Sequence, residues 1–259
     1  MKSISGFLII AFLITTFIPL SSMAANSKIT SKLRFKETAP KDLKLTITRK
    51  SDIYETSWDR KRRHTLFEGK NTSRYEIIKI KNKKLAIHSQ LLRTHKSVDG
   101  KEFSSGAPKE KSVSIYRMNS LGQRIDNSPD KKHEKKQSSE LTLQFPDHKV
   151  SAGDRWEVTA PASKNYPIPV KMHFVIKEFI KKGTSLFCII NNKFESAKFF
   201  PDRNCRVKVE SKNRIIFNVT KGRIVRQTGS STYITTWAKK GAENPMQSST
   251  FTKIKLSIR

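Results

Sequence analysis

The stretch Ile215-Ile216-Phe217-Asn218-Val219-Thr220-Lys221-Gly222-Arg223-Ile224-Val225 decides the fold. Ile215, Phe217 and Val219 fall two residues apart, so an extended chain carries all three on one face. Thr220-Lys221-Gly222 is a turn signal, and the apolar pattern resumes at Ile224. Strand, tight turn and returning strand is a hairpin. The same alternation recurs at Leu43-Leu45-Ile47, Leu141-Leu143-Phe145, Met172-Phe174-Ile176 and Ile254-Leu256-Ile258. Ser120-Leu121-Gly122 and Lys181-Lys182-Gly183 read as further turns. The intervening residues are mostly Lys, Arg, Thr and Asn, which suits sheets with one wet face. No capped amphipathic helix is evident. The pattern predicts a mainly β protein of antiparallel meanders, forming one or two curved sheets or a sandwich or half-barrel, with little helix.

Working outward, residues 1–24 read as a signal peptide. Lys2 precedes an apolar run from Phe7 to Leu20, and Ser22-Met23-Ala24 places small residues before a cut after Ala24. That run is about 14 residues, short of the roughly 20 needed to span a bilayer. The expectation is therefore an exported protein, periplasmic or secreted, with no span after cleavage. The halves 28–127 and 141–259 read as two β regions joined by a lysine-rich linker or loop at 128–140. Their hairpins look weakly alike, as a duplication would leave them. In an oxidising compartment Cys188 and Cys205, each on the apolar side of an alternating run, are expected to form a disulfide. The chain-entropy model puts such a staple at roughly 3 kcal/mol.

The segment Pro146-Asp147-His148-Lys149-Val150-Ser151-Ala152-Gly153-Asp154-Arg155-Trp156 resembles the Pro…Val…Gly-Asp-x-Trp element of uncharacterised exported bacterial β-sheet proteins. The resemblance implies a strand-rich first half and a turn-and-strand second half, and carries no chemistry. Read physically, Gly153-Asp154 makes a tight turn in which Asp154 bonds nearby amides. Trp156 then buries a ring at the junction of the halves.

The chain has 52 Lys+Arg against 22 Asp+Glu, a net charge of +30. Two cysteines exclude a four-thiolate zinc site, and HExxH, GxSxG, phosphate-loop and EF-hand patterns are absent. No catalytic residue, metal or cofactor is predicted, although His88 and His173 on wet strand faces are noted as able to meet across strands. The excess charge is the stronger signal. It should create a positive field that attracts polyanions in a salt-dependent way. Arg60-Lys61-Arg62-Arg63, at an expected hairpin tip, is the first candidate anion-binding cluster, and Lys131, Lys132, Lys135 and Lys136 are the second. The expected role is non-catalytic binding of an anionic envelope component, namely lipid head groups, lipopolysaccharide or a polyanionic polymer. Nucleic acid would bind only non-specifically. The alternatives are a periplasmic lipid carrier with an apolar cavity and a hydrolase lacking a recognisable motif.

Overall fold

The computed structural model describes residues 29–38, 43–80, 84–107, 113–123, 125, 143–160, 169–238 and 245–259. The signal-peptide segment and the second basic cluster, Lys131, Lys132, Lys135 and Lys136, lie outside them. The fold is mainly antiparallel β, with no α-helix among the described residues and one 3-10 turn at Pro201–Arg203. Strands β1 (Thr30–Ser31) and β7 (Val150–Ser151) form a small pair. The rest form one sheet of 11 strands: β2 (Leu43–Thr56), β3 (Arg62–Ile80), β4 (Lys84–Val98), β5 (Lys101–Gly106), β6 (Val113–Met118), β8 (Arg155–Ala160), β9 (Val170–Lys182), β10 (Ser185–Phe200), β11 (Cys205–Asn218), β12 (Arg223–Trp237) and β13 (Met246–Ile258). Its order is β5-β4-β3-β2-β13-β12-β11-β10-β9-β8, with β6 also paired to β4, and it does not close into a barrel. The last strand, β13, pairs with β2 along its length, so both halves of the sequence share one sheet.

The deciding stretch is the β11–β12 hairpin, with Gly222 at φ +61°. Ile215, Phe217 and Val219 are buried, as their spacing requires. The core gathers at one end of the sheet, where Leu45, Tyr75, Ile77, Ile87, Ile176, Ile190 and Leu256 face inward. Two chain segments cross this concave end. Leu33 and Phe35 come from the segment after β1, and Leu143 and Phe145 from the segment before β7. The three rings of Phe35, Phe145 and Phe217 meet with centroids 4.7–5.4 Å apart.

Leu143 and Phe145 thus alternate without belonging to the sheet, which corrects the strand reading over 143–145, while Leu141 lies outside the described residues. Their backbone is tied instead to the turn before them, with Phe145 N–H donating to Leu121 C=O at 2.8 Å. Similarly, Lys36 N–H donates to Gly222 C=O at 3.0 Å. A Cβ on Gly222 would lie 2.6 Å from that Lys36 nitrogen, so the crossing demands glycine there.

The expected disulfide is absent: Cys188 and Cys205 are free thiols, both buried. They do lie on neighbouring strands, but Cys205 pairs with Phe200 whereas Cys188 pairs with Phe217. Twelve residues of β10 separate the two positions. At about 3.3 Å per residue this is roughly 40 Å, far beyond the 7 Å limit for a bridge. Parity predicted the shared face correctly, while register, which the sequence does not display, put the sulfurs at opposite ends.

Candidate anion-binding groove

Long strands that twist strongly splay at both ends and leave a waist on the face away from the core. Irregularities sharpen this bend. The β9–β10 and β3–β4 pairings shift register near mid-strand and the β11–β12 pairing close to its turn, and bulges increase local twist. The result is a groove of about 1380 Å³ across β8 to β13. Five strand spacings of about 4.8 Å make it about 24 Å long. It narrows to three residues, or about 10 Å, at β11 and β12 and widens to six positions, or about 20 Å, on β9.

Six cations line it, Arg155, Lys177, Lys193, Lys212, Arg214 and Lys253, against two carboxylates, Glu157 and Glu178. Cross-strand register explains the concentration. Lys193 stands directly opposite Lys212. Lys212 pairs with Ser230, and Ser230 with Lys253. Lys253 in turn faces Lys50 on β2. One row across five strands therefore carries four lysines, and like charges directly opposite destabilise a sheet. At cross-strand spacing such a pair repels by about 0.8 kcal/mol in water.

The nearby acids are already engaged. Lys208 holds Glu210 at 2.5 Å and Glu195 at 3.4 Å, and the hydrogen bond to Glu210 keeps its ammonium above the ordinary lysine value. Glu178 lies 3.9 Å from Arg214, and Lys50 has Glu68 at 3.2 Å. At the groove's end Glu157 binds Lys171 at 2.5 Å and His173 at 2.7 Å. Lys171 chiefly, with His173, holds the Glu157 carboxyl below the usual carboxylate range. Among the described residues, Lys193, Lys212 and Lys253 have no acidic partner. The sequence reading missed this row, because its lysines come from separate strands and only register aligns them.

The first predicted cluster, Arg60, Lys61, Arg62 and Arg63, does occupy a hairpin tip, between β2 and β3. Ser57 N–H donates to Lys61 C=O at 3.0 Å, and Arg60 sits at φ +63°. Its charge is partly matched: Lys61 bonds Asp59 at 2.8 Å, and that contact, with Ser57, lowers the Asp59 pKa. Arg63 stands opposite Glu55. Six residues of β2, or about 20 Å, separate Lys50 from this tip.

The Gly153-Asp154-x-Trp156 element builds the entry to β8. Gly153 takes φ +92°, and the Asp154 carboxylate accepts from Ser151 N–H at 2.8 Å and its hydroxyl at 3.2 Å. Trp156 stacks on Phe174 at 5.1 Å and donates its indole N–H to Gln144 C=O at 2.7 Å. His88 and His173 do not meet. They lie on β4 and β9, seven strand spacings apart, and bond Glu76 and Glu157 respectively. No group of three metal-ligating side chains gathers among the described residues.

No protein-family model matches the sequence, and no curated protein matches it either.

Proposed function

We propose that this is an exported, non-catalytic binding protein of the cell envelope that holds an anionic lipid or polymer through its basic surface. The waist groove is the principal contact and the Arg60–Arg63 tip a subsidiary one. One observation carries the reading: three lysines without acidic partners among the described residues, two of them directly opposed, line a concave face that holds six cations. Bound anions would relieve that repulsion and release counterions. The concave apolar end of the sheet, where a carrier would lodge acyl chains, is filled by Phe35, Phe145 and Phe217, which favours binding on the surface over carriage within it.

The test is a salt-dependent titration with linear polyphosphate. If Lys193, Lys212 and Lys253 are contacts, replacing all three by Gln should weaken binding and reduce the log–log salt slope by about 2, near 0.7 for each lost contact to a single chain. An unchanged slope would remove the groove from the reading.

A further inference from the structure

Resting on that reading, we infer that the groove takes one extended polymer chain carrying anions along its backbone, rather than a membrane surface. Shape supplies the first argument. The lysines without acidic partners among the described residues line a groove that narrows to about 10 Å at β11 and β12, a width that matches one extended chain and is small against a flat bilayer. A single chain enters. The Arg60–Arg63 tip is the opposite case, since a projecting hairpin end reaches a flat charged surface with ease.

The second argument is that no unstacked Trp, Tyr or Phe ring lines the groove among the described residues. Proteins that hold single-stranded nucleic acid pair a basic channel with aromatic platforms. The aromatic residues lining this groove are Trp156 and Phe174. They stack on one another with planes 8° apart, and Phe174 is buried. Tyr54 and Phe251 are exposed on the same face of the sheet, but Tyr54 is stacked on His64 at 4.6 Å and meets Phe251 edge-on. Beside the cations the lining includes Asn191, Ser230 and Thr228, which offer hydrogen bonds to anionic oxygens, together with the apolar Val175 and Ile189. Charge is therefore read without bases or sugar rings.

The third argument is spacing. Along the row, Lys193 and Lys212 are one strand apart, Lys212 and Lys253 two, and Lys253 and Lys50 one. The row runs about 19 Å across the strands. A flexible chain of phosphates or phosphodiesters, lying perpendicular to the strands, meets such uneven spacing by local bending.

The experiment compares three probes on the full chain: linear polyphosphate, large vesicles of phosphatidylglycerol, and single-stranded DNA of matched charge. The variants are K193Q/K212Q/K253Q and an equal-charge control, K101Q/K149Q/K221Q, at exposed positions outside the groove. Circular dichroism confirms that each retains its sheet. The expected result is at least tenfold weaker polyphosphate binding for the groove variant, no more than threefold for the control, and equal vesicle binding for both. DNA should bind more weakly than polyphosphate, with no preference among base compositions. Vesicle binding lost selectively in the groove variant would overturn the single-chain inference while leaving the anion-binding function standing. DNA binding tighter than polyphosphate would overturn the ring-free reading. Polyphosphate binding equal in both variants would overturn the groove itself.

Discussion

Replacing Gly229 by Ala tests the packing that forms the waist. Gly229 sits on β12 opposite Asn213, on the inner face of the sheet. A Cβ there would lie 2.0 Å from Asn213 Oδ1 and 2.7 Å from the Lys212 carbonyl oxygen. The Asn213 amide must therefore leave its place, where its Nδ2 donates to Asn192 Oδ1 and to Ser211 Oγ, both at 3.0 Å. Losing two such bonds costs about 2 kcal/mol. The main-chain contact adds to this, because a ladder carbonyl has no rotamer to escape into. Removing a glycine from the unfolded chain returns about 0.4–1 kcal/mol. The net expectation is a loss of about 2 kcal/mol, or a fall in Tm of roughly 4–8 °C for a chain of this size. Urea unfolding of G229A, N213A and the double variant gives the assay. If the clash with Asn213 is the cause, G229A costs less in the N213A background. A G229A protein as stable as the parent, or strictly additive effects, would refute the reasoning.

Phe217→Ala removes a fully buried ring that touches Phe35 and Phe145, and should cost about 3–5 kcal/mol in denaturant unfolding. Gly222→Ala strains a φ of +61° and collides with Lys36; it should lower stability by more than about 1 kcal/mol and expose the 29–38 segment to proteolysis. Intact mass should be the same with and without reductant, and unfolding should reveal two reactive thiols. Burial pushes the Cys188 thiol up to about 12 from 9.0. The unfolded chain therefore ionises first, so this group's stabilisation is complete below pH 9 and declines as pH rises toward 12. C188V should flatten that alkaline decline relative to the parent.

Strand parity was written plainly in the chain. The β11–β12 hairpin, its glycine turn and the inward set Ile215-Phe217-Val219 all follow from period two and a single turn signal. Register was not, because it depends on which strands neighbour one another and where bulges fall. This is why Cys188 and Cys205 share a face yet sit far apart, and why Leu143 and Phe145 mimic a strand while crossing the core. The candidate site divides the same way. Arg60–Arg63 is contiguous and so visible in sequence, whereas Lys193, Lys212 and Lys253 are scattered and become a row only through three successive pairings.

Lysine footprinting is the measurement that tests the central claim most directly. Acetylation rates at individual ammonium groups, read by mass spectrometry, would be compared with and without saturating polyphosphate. Binding along the waist predicts that Lys177, Lys193, Lys212 and Lys253 are protected together, while Lys101 and Lys221 react as before. Protection confined to the Lys61 tip, or spread evenly over all surface lysines, would contradict it.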